Sequence, residues 1–247
     1  MEYSSYSRAA EIISKARRVT AFTGAGISVE SGIPPFRGEG GLWNMYDPES
    51  IYIDNFFANP LECWVKIKEI FYNFFGQAHP NDAHFGLAKL ENAGLLKTVI
   101  TQNIDNLHQE AGSREIYEFH GTSSYLICTV CLNRFHKSEI DLDSLPPHCA
   151  NCGGLLKPDF VFFGEPIPEK PYIKAIQEAS DSDVFLVIGT TGEVAPASSI
   201  PIAAKRNGSQ IIEINPNRSN FTGPITDVFL QDKASRAMND LTRLLKI

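Results

Sequence analysis

Apolar residues recur at helical spacing at Ala9, Ile12, Ile13 and Ala16, and a short unbroken apolar run from Val19 to Phe22 then stops at Thr23-Gly24-Ala25-Gly26. That change of period predicts a helix, a buried strand and a glycine turn. The order returns further on. Ala83 to Ala93 predicts a helix with Asn81 as N-cap and Gly94 as terminator, and Leu95 to Thr101 predicts the strand after it. Val184 to Ile188 and Ile211 to Ile214 predict two more buried strands, separated by a helical stretch of small residues from Ala195 to Arg206. A last helix carries Ala234, Met238, Leu241 and Leu245 on one face. Strands alternating with helices predict a parallel sheet covered on both faces, a doubly wound, Rossmann-like α/β fold.

Two stretches interrupt the alternation. Phe36 to Pro80 is rich in aromatic residues and predicts helix from Leu61 to Phe75, while Thr122 to Leu156 holds two cysteine pairs. Both are expected to be insertions that form a smaller lobe on one domain spanning 1–247. The Rossmann-like part is then assembled from about 1–35, 81–121 and 157–247, with a helical insertion at about 36–80 and a cysteine module at about 122–156. No repeat of solenoid period is visible.

Composition narrows the partners. With 22 Lys+Arg against 29 Asp+Glu the formal charge is −7, so the basic excess that nucleic-acid binding draws on is missing. No run reaches the roughly 18–20 apolar residues of a membrane span, and MEYSSYSRAAEIISKARR lacks the apolar core of a signal peptide. A cytoplasmic protein is expected, with no direct nucleic-acid ligand and no membrane. Oligomeric state has no signature in the sequence.

In a reducing compartment, paired cysteines point to metal. Cys128-Thr-Val-Cys131 and Cys149-Ala-Asn-Cys152 are separated by 17 residues, which lets two knuckle turns place four thiolates around one tetrahedral Zn²⁺. Four sulfur ligands leave no open position, so the zinc is expected to be structural. A nucleic-acid-binding zinc ribbon is disfavoured by Glu139, Asp141 and Asp143 against only Arg134 and Lys137. Cys63 stands apart from the pairs.

The turn Thr23-Gly24-Ala25-Gly26-Ile27-Ser28 follows a strand, and bare backbone amides there can receive a pyrophosphate. It lacks the third glycine of GxGxxG, and no acidic ribose reader is recognisable about 20 positions on. On its own the turn is equally a strand-to-helix connection without a ligand.

Its continuation, Gly24-Ala25-Gly26-Ile27-Ser28-Val29-Glu30-Ser31-Gly32-Ile33-Pro34-Pro35-Phe36-Arg37-Gly38, is one of several long motifs. Together with Thr101-Gln102-Asn103-Ile104-Asp105-Asn106-Leu107-His108, Phe119-His120-Gly121, the cysteine pairs and Phe162-Phe163-Gly164-Glu165-Pro166, it closely resembles the sirtuin family of NAD-dependent protein-lysine deacylases. The resemblance runs from about Ser7 to Leu245 in the family's order.

The resemblance implies NAD as cosubstrate, structural zinc and acyl-lysine proteins or peptides as partners. Ala25, Gly26 and Ser28 are then expected along the NAD pyrophosphate, Gly24 and Val29 among the cofactor contacts, Arg37 in the loop that closes over the pyrophosphate, and Phe36 as a screen against water. Gln102 and Asn103 face the nicotinamide ribose, with Asn103 counted among the catalytic residues; Ile104 and Asp105 line the nicotinamide pocket. Gly189, Thr190, Thr191 and Asn215 contact the riboses and Ala234 the adenine. Val161, Phe163, Gly164, Glu193 and Val194 flank the acyl-lysine, whose peptide pairs as an added strand. His120 is the implied general base, since no nucleophilic Ser or Cys accompanies it and an imidazole suits removal of a ribose hydroxyl proton. His84 and His108 are read as structural.

Two departures from the family pattern bear on specificity. Where sirtuins commonly have GTSLxVxP or GSSLxVxP, this chain has Gly192 and the charged Glu193. Desuccinylating members carry Tyr and Arg three residues apart in the helix after Asn-Pro; here the aligned positions are Ile67 and Ile70, and no Arg occurs between Arg37 and Arg114. Two other functions use the same residues, mono-ADP-ribosyl transfer to protein and a catalytically silent NAD sensor.

Overall fold

The computed structural model describes residues 4–36 and 40–247. The first helix, α1 (Ser5–Lys15), opens where the Ser4 side chain accepts from Ser7 N–H, and it buries Ala9, Ala10 and Ile13. The next strand, β1 (Val19–Thr23), is buried at all five positions, as a central strand covered on both faces must be. In the first insertion lie α2 (Leu42–Met45), α3 (Ile53–Ala58) and α4 (Pro60–Ile67), which runs on into a wider π turn over Lys68–Phe74. After them come α5 (Asp82–Asn92), capped by Asn81 and followed by Gly94 at φ +75°, and the strand β2 (Leu96–Thr101). The order continues α6 (Leu107–Glu110), β3 (Ile116–Glu118), β4 (Gly121–Cys128), β5 (Arg134–His136), β6 (Leu156–Phe160) and α7 (Glu169–Asp181). It closes with β7 (Val184–Ile188), α8 (Ser199–Arg206), β8 (Gln210–Ile214), β9 (Val228–Leu230) and α9 (Ala234–Leu245). The helix expected from Ala195 begins four residues later, because Pro196 and a turn closed by Ser198 N–H on Val194 C=O occupy the intervening residues.

Six strands form one parallel sheet in the order β3-β2-β1-β7-β8-β9. Counted within the sheet this is 3-2-1-4-5-6, the doubly wound order, with its switch point between β1 and β7. Side chains of β7 alternate between two core layers. Val184, Leu186 and Ile188 pack with α1, α5 and α9, whereas Phe185 and Val187 pack with Ala175 and Ala179 of α7 and Ile200 and Ala204 of α8.

A separate antiparallel sheet, β5-β4-β6, joins the helical insertion in a third core around Phe56, Trp64, Ile67, Ile70, Phe160 and Phe162. Trp64 Nε1 donates to Leu156 C=O at 2.9 Å, which ties α4 to the start of β6. That strand spans Leu156–Phe160, so the expected boundary near 157 runs through it.

At the switch point two turns touch. Gly26 N–H donates to Gly189 C=O at 2.8 Å, Gly189 has φ +64°, and a Cβ on Gly189 would lie 2.3 Å from Ile27 N. Gly189→Ala is therefore expected to cost about 3 kcal/mol or more, combining left-handed strain with overpacking. Gly208, at φ +100° with nothing within 4 Å of its would-be Cβ, provides the comparison. Gly208→Ala should cost only about 1 kcal/mol. Chemical denaturation of both variants checks this, and equal losses would show that the turn contact does not constrain the fold.

Candidate active site

The ends of β1, β2 and β7 form one wall of a cleft of about 1060 Å³. Gly24, Ala25, Gly26 and Val29 come from the segment after β1, Gln102, Asn103 and Ile104 from the end of β2, and Gly189, Thr190 and Thr191 from the end of β7. Asn215, just after β8, and Ala234, which opens α9, extend this wall. Phe36, His120, Val161, Phe163, Gly164 and Val194 also line the cleft. Ser28, Asp105 and Glu193 do not; Ser28 is buried and Glu193 exposed. Arg37 lies outside the described residues.

Gly24 is extended and is followed by a 3₁₀ helix over Ala25–Ser31 in place of a regular α-helix. Among the described residues the backbone amides of Ala25, Thr190 and Thr191 have no partner in the chain, which leaves donors at the sheet's switch point for an anionic or hydroxyl-rich ligand. Side chains brace this wall. Gln102 Nε2 donates to Thr190 Oγ1 at 3.1 Å, and Asn215 Nδ2 to Thr190 C=O at 3.0 Å.

A buried polar network adjoins it. Asn103 Nδ2 donates to Ser28 Oγ at 3.1 Å, and Ser28 Oγ donates to Asp105 Oδ2 at 2.7 Å. Burial raises the Asp105 pKa, while hydrogen bonds from Ser28, Leu107 N–H and Asn103 oppose the rise. His84 Nε2 lies 3.4 Å from Ser28 Oγ, and His108 Nε2 lies 2.9 Å from Thr23 Oγ1. Both rings are fully buried, and burial pushes His84 down to about 4 and His108 well below 6.5.

His120 has its Nδ1 2.9 Å from Gln102 C=O. A carbonyl only accepts, so Nδ1 carries the proton and Nε2 keeps its lone pair. Burial holds the pKa below 6.5, partly offset by the bond to Gln102, so the ring is a neutral base at pH 7. Its backbone carbonyl accepts from Val161 N–H at 2.9 Å, which ties the base to the opposite wall.

That wall is apolar and comes from the small lobe. Trp43, Ile51, Phe71, Phe160 and Phe162 join Phe163 there, with ring centroids 6.2 Å apart for Trp43 and Phe163 and 5.0 Å for Phe71 and Phe160. Ile67 and Ile70 are fully buried in the lobe's core and do not line the cleft; the π turn brings Phe71 to the wall instead.

The Sir2 family model matches residues 24–196. An "NAD-dependent protein deacylase 2" of Pyrobaculum aerophilum is 44% identical over 241 residues, covering 96% of this chain and 94% of its own. This chain belongs to the Sir2 family. An "NAD-dependent protein deacylase" of Thermococcus kodakarensis is likewise 44% identical, covering 96% of this chain and 95% of its own. Among solved structures, a mutant Sir2 homologue in complex with ADP-ribose superposes with TM-score 0.91 at 40% identity, covering 97% of this chain and 96% of that one. A Sir2 complex with p53 peptide and NAD⁺ gives TM-score 0.89 at 33% identity, with 98% of each chain covered.

In this Sir2 chain the sulfurs of Cys128, Cys131, Cys149 and Cys152 all lie within 4.8 Å of one another. The pairs Cys128–Cys152 and Cys131–Cys149 stand at 3.5 and 3.7 Å. Four ligands at 2.3 Å on a tetrahedron sit about 3.8 Å apart, so the cluster is positioned to hold zinc. None of the four lines the cleft. Arg218 and Lys233 do, on the sheet side, and neither was singled out in the sequence because exposed cations carry no pattern. Zinc removal by chelation, or Cys128→Ala, is expected to lower zinc content and the stability of the small lobe together. Calorimetry with metal analysis tests this, and a zinc-free variant of full stability would end the structural assignment.

Proposed function

We propose that this chain is an NAD-dependent protein-lysine deacylase that transfers the acyl group of an acyl-lysine to ADP-ribose and releases nicotinamide. The observation that carries the reading is His120, a neutral base with a locked tautomer, lining a cleft between a wall with unpartnered amides and an apolar aromatic wall. The names of the relatives and the ADP-ribose, NAD and peptide complexes of the structural neighbours support it. When bound, NAD supplies an electrophilic ribose carbon and nicotinamide as leaving group.

The residues divide the remaining work. Amides of Ala25, Thr190 and Thr191 hold the phosphates and ribose oxygens, while Asn103 orients the nicotinamide half, backed by Ser28 and, through it, Asp105. The Val161 carbonyl, without a partner among the described residues, accepts the N–H of the acyl-lysine amide, and Phe163 walls the acyl chain. His120 Nε2 takes the ribose hydroxyl proton. The Rossmann-like part at about 1–35, 81–121 and 157–247 carries the nucleotide and, through Val161 and Phe163, the acyl-lysine, to which the helical insertion adds Trp43, Ile51 and Phe71. No helix among the described residues is long and apolar enough to cross a membrane. Cytoplasmic residence, also part of the proposal, keeps the four zinc thiols reduced.

With labelled NAD and an acetyl-lysine peptide, the expected product is soluble acetyl-ADP-ribose; label fixed to protein would instead establish ADP-ribosyl transfer. His120→Ala should lower product formation about 10²-fold or more, with nicotinamide exchange suffering less. Because burial lowers the pKa of the ring, the decline of kcat/KM on acidification should have its midpoint below pH 6.5. A His120→Ala enzyme of near-normal rate contradicts the assignment.

The acyl group is expected to be neutral. Lys66 pairs with Glu62 at 3.5 Å and Lys68 with Asp143 at 2.6 Å, and the cations lining the cleft among the described residues are Arg218 and Lys233 on the sheet side. Among the described residues the aromatic wall therefore offers no unpaired cation to a carboxylate, whose desolvation costs several kcal/mol, since the Lys157 ammonium behind Phe162 is paired with Glu165. Acetyl and butyryl forms of one peptide should exceed the succinyl form about tenfold or more in kcat/KM. Desuccinylation as fast as deacetylation would overturn this.

A further inference from the structure

The segment Phe160–Glu165 is held by a charge pair that no step above uses. Lys157 is 7% exposed, yet its ammonium lies 2.9 Å from Glu165 Oε2, donates to Phe160 C=O at 2.7 Å and Pro158 C=O at 3.0 Å, and stands 4.1 Å from the centroid of the Phe162 ring. An ammonium has three donors, and all three are engaged. Glu165 Oε2 in turn accepts from Phe162 N–H at 2.7 Å.

These bonds grip two consecutive peptide planes. In the plane joining Phe160 to Val161, Lys157 holds the carbonyl, and the N–H on the opposite edge donates to His120 C=O at 2.9 Å. In the plane joining Val161 to Phe162, Glu165 holds the N–H. A trans peptide directs its carbonyl opposite to its N–H, so fixing Phe162 N–H fixes the aim of the Val161 carbonyl. That carbonyl has no partner among the described residues, and Val161 lines the cleft.

We propose that Lys157 and Glu165 are a positioning pair that aims the Val161 carbonyl at the amide of the acyl-lysine, an inference that rests on the deacylase reading. Taking two charges out of water is costly, and apolar residues of the same volume would fill the space without that cost. They would leave Phe160 C=O, Pro158 C=O and Phe162 N–H unheld, the first plane then keeping only its bond to His120 and the second losing the bond that sets the aim of the Val161 carbonyl. The pair also links the acyl-lysine acceptor to the base, because the first plane ends on His120.

The test compares Lys157→Met, Glu165→Ala and Glu165→Gln in the full-length zinc-loaded protein, measuring KM for an acetyl-lysine peptide, kcat, and affinity for ADP-ribose by calorimetry. Lys157→Met and Glu165→Ala should each raise the peptide KM about tenfold or more, with ADP-ribose affinity within about twofold of wild type. Glu165→Gln keeps an oxygen for Phe162 N–H and should recover most of the loss. Where Lys157→Met does not fold, as judged by zinc content and melting, the contrast between Glu165→Ala and Glu165→Gln decides alone. Folded variants with an unchanged peptide KM, an equal loss of ADP-ribose affinity, or Glu165→Gln no better than Glu165→Ala overturn the proposal. A wild-type protein that makes no acyl-ADP-ribose overturns the deacylase reading itself; an active wild type with unaffected variants overturns only the pair.

Discussion

Two backbone turns, one after β1 and one after β7, approach until Gly26 N–H meets Gly189 C=O, and the approach is open only to residues without a Cβ. A Cβ on Gly26 would stand 2.6 Å from Gly189 Cα, and one on Gly24 would stand 2.9 Å from Gly189 C=O. The constraint lies at the point where the strand order reverses, so it sets the width of the crevice there. With the turns this close, Thr190 comes within reach of Gln102 and Asn215, and three neighbouring strand ends become one braced wall. Amides that ordinary turns would pair internally are left without a partner in residues that line the cleft.

The opposite wall depends on a lobe with its own apolar core around Trp64 and Phe162. The four cysteines of that lobe are positioned to hold zinc and do not line the cleft. Their two knuckles flank the β-sheet whose third strand, β6, leads directly into Val161. Gly121 lies opposite Phe160 at φ +78°, and a Cβ there would be 2.3 Å from Asp159 C=O. Strand β4 therefore meets β6 beside His120, so the cysteine cluster, His120 and Val161 are joined through one pair of strands.

Much of the sheet was legible because buried parallel strands read as unbroken apolar runs, and α1, α5 and α9 carry clear caps or faces. The site was legible through long motifs more than through chemistry, since a glycine turn alone does not distinguish a ligand from a connection. What escaped depended on tertiary partners. Leu156–Phe160 contains a lysine, a proline and an aspartate, which mask a strand that pairs only with β4. The π turn after Ile67 is not visible in the apolar pattern, and within it Ile70 is buried in the lobe's core while Phe71 lines the cleft. Lys157 reads as a surface residue, because only the folded loop supplies its three acceptors.

The network beside the sheet wall adds a constraint on protonation. Thr23, Ser28, Asn103, His84 and His108 are all buried, so every polar atom among them needs a partner and every charge a counterion. Hydroxyl groups meet His84 Nε2 and His108 Nε2, while among the described residues His108 Nδ1 has no partner and no cation or carboxylate bonds to either ring, so both imidazoles are neutral in the fold. An unfolded chain binds protons at histidine near pH 6.5, whereas the folded chain resists them, to about pH 4 for His84. The folded state thus loses stability as pH falls from about 6.5 and the unfolded rings charge first. His120 shares the sign of this shift, so one desolvated environment keeps the structural histidines uncharged and the base free to accept a proton at neutral pH.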